Sequence, residues 1–350
     1  MMQIDIVTVY NTENCGSVLQ AYALKRWLEV HGHHVRFIRR SLKGTPGAAT
    51  HMIVNCARRL MHMDIRGAKA RFRRYRSFHQ FYADFEIVDP RHVGSEDMII
   101  YGSDTLWNVA NRYFASKRDV YWGKTFPEHR KITYAVSIGN TAPELLKEPY
   151  YKDCIDGFSA LSVRDEWTRE AVKQLTEREV ALTCDPTLLL KKDDYIPLAV
   201  KNLEKDRYLL LYYFGDFDRN QQRVIRSYAA ERGLKIISFG AERSWCDKRA
   251  ESSPQNFLTY FAGASCVITN TFHGCVFSVI FEKKMIGYVE HLKKAAQFLK
   301  EVGIGGQIVP CTCEDLSRLD EDIDYVSVGR AVTCMAASSE NFLLQNIGSE

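Results

Sequence analysis

Cys266-Val267-Ile268-Thr269-Asn270-Thr271-Phe272-His273-Gly274-Cys275-Val276-Phe277-Ser278-Val279-Ile280-Phe281 is the stretch that decides how this chain folds. Its first three residues are a short apolar run that reads as a buried strand, and residues 275–281 read as a buried helix. A histidine therefore stands where a strand ends and a helix begins. Backbone N–H groups and the helix dipole favour an anion at such a point. Thr271 precedes the histidine, Gly274 lets the backbone approach a ligand closely, and His273 can supply a proton or a hydrogen bond near neutral pH. This is the chemistry expected of a site for a phosphorylated or carboxylated small molecule.

Outward from this stretch, strands and helices alternate along the whole chain, as in α/β layers with parallel sheets. In the second half, residues 208–214 and 235–239 read as strands, and 220–232 and 254–262 as helices. In the first half the strands fall at 4–10, 34–38, 98–101, 132–137 and 158–164, with helices over 18–31 and 166–175. A polar stretch over 193–205, broken by Pro197, marks a boundary. The expected domains are a Rossmann-like domain over 1–200, a second over 201–333, and a helix over 334–350 that crosses back to the first. Two such domains facing each other would line a cleft with the carboxyl ends of both sheets.

Composition narrows the class. The chain has 350 residues, 46% of them hydrophobic, enough for two cores, and no apolar run long enough to span a bilayer. The first residues lead directly into a strand, without the charged start of a signal peptide. Ten cysteines fit neither a disulfide framework nor a zinc spacing, so a reducing cytoplasm and no metal are expected. A net charge of +4 is too mild to argue for nucleic acid. One segment departs from that balance: the helical excursion over 55–80 carries Arg58, Arg59, Arg66, Lys69, Arg71, Arg73, Arg74 and Arg76 against the single acid Asp64. Apolar residues interleave with these cations, which suits an anionic membrane surface or a pyrophosphate-linked lipid; a solvated helical excursion joining two core segments is the alternative.

Polar residues recur where the strands end: Asn14 and Gly16 after the first, then Gly102-Ser103-Asp104, Ser137 and Gly139, Arg164-Asp165, and the His273 turn. Singly these are helix caps, turns or surface pairs. Together they point to one site assembled from many loops.

Five stretches resemble motifs of the polysaccharide pyruvyl transferase family, in family order: Asn11-x-x-Asn14-x-Gly16-Ser17-Val18-Leu19-Gln20-Ala21-Tyr22-Ala23-Leu24, Gly102-Ser103-Asp104-x-x-Trp107-Asn108, Ser162-Val163-Arg164-Asp165, Asp185-Pro186-Thr187-Leu188-Leu189-Leu190 and Thr269-x-x-Phe272-His273-Gly274-x-x-Phe277-Ser278. The resemblance implies a glycosyltransferase-B-like fold of two Rossmann-like domains. It also implies transfer of pyruvate from phosphoenolpyruvate onto a sugar as a cyclic ketal, in building a capsule or exopolysaccharide. The second domain would hold the donor and the first the acceptor, free or lipid-pyrophosphate-linked, at the inner face of the membrane. No cofactor or metal is required if cations and a helix terminus neutralise the donor.

By the same resemblance Arg164 and His273 bind the donor, and His273 also acts as acid. Lys294 is the expected cation after the His273 helix. Two departures matter. One branch of the family has Arg-Leu-His where this chain reads Thr271-Phe272-His273, and Gly-Asp-Glu where it reads Gly16-Ser17-Val18. The base is therefore assigned to Asp104, with Glu13 second. Asn14, Gly16, Gln20, Ser103, Ser137, Thr271 and Gly274 complete the candidate binding residues. Three rivals remain: a glycosyltransferase using a nucleotide-sugar donor, a thiol hydrolase built on Cys15 and His273, and a carbohydrate-binding module.

Overall fold

Apolar runs of four or five residues, each closed by turn residues, form buried parallel strands here. The structure, a computed structural model, describes residues 2–39, 48–61, 63–200 and 204–348. Residues 201–203, within the expected boundary stretch, lie outside the described residues. The chain divides into two units, one of Met1–Leu189 with Met335–Glu350 and one of Leu190–Cys334.

In the first unit, strands β1 (Gln3–Val7), β2 (His34–Ile38), β3 (Ile87–Val88), β4 (Met98–Gly102) and β5 (Lys131–Tyr134) make a sheet in the order β3-β2-β1-β4-β5. Every pairing is parallel, with Ile6 set between Phe37 and Ile100. The expected strand over 158–164 is reduced to β6 (Ser162–Val163), which pairs with β7 (Ala181–Leu182). Single bridges from Ile132 to Ala160 and from Val136 to Val163 join this stretch to β5 and its extension. Helix α1 (Cys15–Val30) begins at Asn14, whose side chain accepts from the Gly16 N–H. Helices α2 (Ala48–Met61) and α3 (Ile65–Phe81) are the basic excursion between β2 and β3. His62 and the side chains of Arg59 and Leu60 lie outside the described residues. Two single turns, α4 (Arg112–Ala115) and α5 (Arg118–Tyr121), then α6 (Pro149–Asp156) and α7 (Glu166–Lys173), complete the run. The core packs Ile99, Tyr101, Ile155 and Phe158 around the stacked rings of Trp107 and Trp122.

The second unit opens with the turn α8 (Lys192–Tyr195) and repeats the winding. Strands β8 (Tyr208–Tyr212), β9 (Lys235–Phe239), β10 (Lys248–Ala250), β11 (Cys266–Thr269) and β12 (Lys284–Gly287) lie in the order β10-β9-β8-β11-β12, again all parallel. Helix α9 (Arg219–Glu231) has a capping box between Asp218 and Gln221. The chain leaves it through Gly233 at φ +61°, a left-handed conformation that glycine adopts without a Cβ penalty. Helices α10 (Pro254–Gly263), α11 (Phe272–Ile280) and α12 (Lys293–Glu301) follow.

The last helix, α13 (Tyr325–Ile347), begins well before the expected residue 334, and from Met335 onward it belongs to the first unit. Ser339 Oγ accepts from the Cys184 N–H at 2.8 Å, and Trp27 Nε1 donates to Glu340 Oε1 at 3.1 Å. Leu343 and Ile347 are buried. Among the described residues, no helix is long and apolar enough to cross a membrane.

Both sheets share one consequence of their order. The winding reverses between β1 and β4 in the first unit, and between β8 and β11 in the second. In open parallel sheets, ligands bind beyond the strand carboxyl ends at such reversals.

Candidate active site

At the first reversal the loops after β1 and β4 enclose a cavity of about 430 Å³, lined by Asn11, Thr12, Asn14, Ser17, Asp104 and Thr105 among others. Asp104 reaches it through an unusual turn. Ser103 and Asp104 both hold positive φ, +42° and +66°, which costs a non-glycine residue roughly 1–3 kcal/mol each. The turn fixes the carboxylate: Oδ2 accepts from Ser17 Oγ at 2.5 Å and Oδ1 from the Thr105 N–H at 2.8 Å. An acid held by a serine hydroxyl at the wall of a cavity lined by both polar and apolar residues is positioned to take a proton from a bound hydroxyl.

Glu13 is differently engaged. Its carboxylate pairs with Arg71 Nη1 and, at 3.0 Å, with Arg74 Nε, while Arg74 Nη2 donates to the Glu13 carbonyl at 2.8 Å. Two cations of the basic excursion are thus fixed to the β1–α1 loop, beside Thr12 and Asn14.

The remaining candidates of this unit lie behind the cavity. Gln20 is fully buried and donates from Nε2 to Thr8 Oγ1 at 3.0 Å and to the Ser17 carbonyl at 2.9 Å, joining the end of β1 to α1. Gly16 is buried in the first turn of α1. Ser137 donates to Asp165 Oδ2 at 2.8 Å and accepts from the Gly139 N–H. Arg164, with a side chain only 2% exposed, donates from Nη1 to Asp185 Oδ2 at 2.7 Å. Asp185 also accepts from Ser103 Oγ at 3.4 Å and from both the N–H and the hydroxyl of Thr187. Three of the five family-like stretches therefore meet at one buried carboxylate. Asp185 was absent from the expected site. Its signal was an acid directly before a proline within an otherwise apolar stretch.

In the second unit, Thr271 is the N-cap of α11, so His273 lies in the first helical turn rather than in a preceding loop. Thr271 Oγ1 accepts from the Gly274 N–H at 2.9 Å and is within hydrogen-bonding distance of Thr269 Oγ1 at 3.1 Å. Gly274 is thereby explained differently from the expectation of ligand approach. A Cβ there would overlap Thr269 Oγ1 and come within 2.6 Å of Thr271 Oγ1, so the glycine is needed for the cap to close. Asn270 spans the reversal: its Oδ1 accepts from the Phe214 N–H at 2.8 Å and its Nδ2 donates to the Phe214 carbonyl at 2.7 Å.

Phe272 brings two expected residues together. The His273 ring meets it edge-on at 5.3 Å, and Lys294 Nζ lies over its face at 5.4 Å. Lys293 is exposed, whereas Lys294 is half-buried. A further cation, Arg243, follows β9 on the same edge. It is 9% exposed, and its Nη2 donates to the carbonyls of Tyr213 and Gly215 at 2.9 and 2.6 Å. No local pattern marks Arg243, because it lies in a charged loop. Among the described residues, no group of three or more His, Cys, Asp or Glu is arranged to hold a metal ion.

Parallel doubly wound units with polar loops at their strand-order reversals define a glycosyltransferase-B-like α/β protein. An α-glucosyltransferase in complex with UDP has the same fold at a TM-score of 0.53 and 10% identity, over 99% of this chain and 96% of that one. A putative UDP-N-acetylglucosamine 2-epimerase from Listeria monocytogenes aligns at 0.53 and 7% identity over 98% and 94%. The UDP-GlcNAc 2-epimerase of Methanocaldococcus jannaschii aligns at 0.51 and 10% identity over the full length of both chains. No curated protein matches the chain in sequence. The sequence profile of the polysaccharide pyruvyl transferases matches residues 14–291, and the chain belongs to that family. Membership makes it a transferase with a saccharide acceptor.

Proposed function

We propose that the protein transfers the three-carbon unit of phosphoenolpyruvate onto a sugar of a surface polysaccharide or its precursor, as a cyclic ketal. A sugar hydroxyl adds to C2 of the enol phosphate, giving its proton to a base, while the methylene carbon takes up a proton. A second hydroxyl then displaces phosphate from C2 and releases its proton. Phosphoenolpyruvate and a diol become ketal and inorganic phosphate, a balance that needs no cofactor.

In this reading the second unit takes the donor. Lys294 and Arg243 offset the charge of its phosphate and carboxylate, and His273 supplies the methylene proton or aids phosphate departure. The first unit takes the acceptor, with Asp104 as the base and Ser17 holding its carboxylate in place. Asn14, at the cavity wall, is available to a sugar hydroxyl. Gln20, Ser103, Ser137 and Arg164 keep the strand ends in shape from behind. The acceptor sugar rides on a lipid pyrophosphate, and the protein meets it at a membrane face.

The observation that carries the reading is His273 in the first turn of α11, at the β8/β11 reversal, sharing Phe272 with Lys294. The test is His273→Ala. Turnover measured as phosphate release and ketal mass gain should fall by roughly 100-fold or more, with the fold intact, as for loss of an acid or charge-stabilising group. A folded variant with near-normal turnover refutes the assignment. Nucleotide-sugar transfer is the second reading, favoured by the UDP named with the α-glucosyltransferase of like fold. A donor screen of nucleotide sugars against phosphoenolpyruvate separates the two.

A further inference from the structure

The basic excursion has two faces. Inward, Phe78, Ala68 and Met52 are buried, and Arg71 and Arg74 hold Glu13. Outward, Arg66, Lys69, Arg73 and Arg76 of α3 are exposed at spacings of three and four residues, which places them along one side of the helix. Arg58 is exposed on α2. Asp64, the only acid in the segment, caps α3 by accepting from the Gly67 N–H at 2.8 Å.

Apolar residues share that outer surface. Ile53, Val54, Met61, Met63, Ile65 and Phe72 are each at least half exposed, and Met61 and Met63, at the α2–α3 connection, reach 76% and 86%. Ten large hydrophobics are at least half exposed among the described residues, so six within one hairpin is a concentration that a solvated surface does not call for.

We propose that the outer face of the α2–α3 hairpin docks on an anionic lipid bilayer, with Met61, Met63 and Ile65 entering the headgroup layer and the α3 cations pairing with lipid phosphates. Charge selects the partner. A second copy of the chain would present the same cations and repel. A nucleic acid would use the cations but gain nothing from exposed methionine and isoleucine at the hairpin tip. A bilayer with anionic headgroups answers both components. The purpose of docking rests on the acceptor reading above. Because Arg71 and Arg74 fix the hairpin to Glu13, between the cavity residues Thr12 and Asn14, a docked hairpin would hold the cavity loop at the surface that carries a lipid-linked sugar.

The test uses the full chain and sedimentation with vesicles of phosphatidylcholine alone or mixed with phosphatidylglycerol, without any substrate. The protein should bind the mixed vesicles and not the neutral ones, and high salt should release it. Replacing Arg66, Lys69, Arg73 and Arg76 with Gln should weaken partition by roughly two orders of magnitude or more, since each cation contributes about a fivefold factor near the surface. Met61→Ser with Met63→Ser and Ile65→Ser should also weaken it several-fold, although no charge changes. Absence of binding to anionic vesicles overturns the proposal. So does serine-variant binding equal to that of the unaltered protein, which would mark the face as a site for soluble polyanions. Circular dichroism of each variant confirms that it is folded. Absence of vesicle binding by the unaltered protein, with its phosphoenolpyruvate turnover present, defeats this proposal alone. Vesicle binding without turnover defeats the proposed function alone.

Discussion

Replacing Arg164 distinguishes a residue that grips substrate from one that holds the fold. Its guanidinium is buried against Asp185, whose own side chain is wholly inaccessible to solvent. Truncation to Ala leaves that carboxylate with Ser103 and Thr187 but without its cation. Breaking a buried pair from one side costs about 3–5 kcal/mol. For domains of roughly 150–250 residues each kcal/mol shifts the unfolding midpoint by about 2–4 °C, so Arg164→Ala should lower it by about 6–20 °C. Scanning calorimetry of the full chain, following the transition of the unit that carries Arg164, measures this directly. The double variant Arg164→Met, Asp185→Leu removes both charges and should recover much of the loss. An Arg164→Ala protein with an unchanged midpoint and a raised phosphoenolpyruvate KM would refute the structural role and return Arg164 to the donor.

Three further outcomes follow from named contacts. Gly274→Ala should destabilise by about 1–3 kcal/mol, because its methyl group overlaps Thr269 Oγ1, and the midpoint should fall with activity; an unchanged midpoint would show that the cap can relax. Asp104→Asn keeps the side chain's shape and should cut turnover roughly 100-fold or more in phosphate-release assays; a variant with full turnover removes Asp104 as the base. Burial raises the thiols of Cys184 and Cys266 from 9.0 to about 12, so iodoacetamide at mildly alkaline pH should label the exposed Cys311 and Cys334 first. Because these folded-state values are raised, the stability the buried thiols contribute is full below pH 9.0 and is lost as pH climbs towards about 12. Equal labelling rates in the native protein would contradict their burial.

The strands legible in the sequence are those whose apolar runs stand alone between breakers. β2 and β9 fall on the expected residues, and β1, β4, β8 and β11 within a few. Those missed have no such run. β3 is two residues long, β10 is Lys248-Arg249-Ala250, and β12 is Lys284-Met285-Ile286-Gly287. Each exists because a neighbouring strand offers a row of partners, which is a property of the sheet and not of the segment. The division of the chain at Leu189 and Leu190 precedes the polar stretch, because α8 already packs with the second unit.

The site divides in the same way. Position at a strand end was legible for Asn14, Asp104 and His273, since it depends on local order. The direction in which each side chain turns was not. Ser103 turns to Asp185, 82 residues away, and Arg71 reaches Glu13 across 58 residues. No periodicity announces pairs that far apart. The buried acids Asp165 and Asp185 had to be satisfied, and the nearest strand-end polar residues were drawn inward to do it.

The path of α13 sets the order in which the molecule can be completed. The first unit lacks its Ser339, Glu340 and Leu343 contacts until residues 335–347 have been made, whereas the Leu190–Cys334 unit is already whole. A chain emerging from the ribosome usually folds from its amino end; here the first unit begun is the last closed. Cys184 and Trp27 must wait, partly uncovered, for a helix whose Ser339 lies 155 residues beyond Cys184, so deleting residues 335–347 damages the first unit.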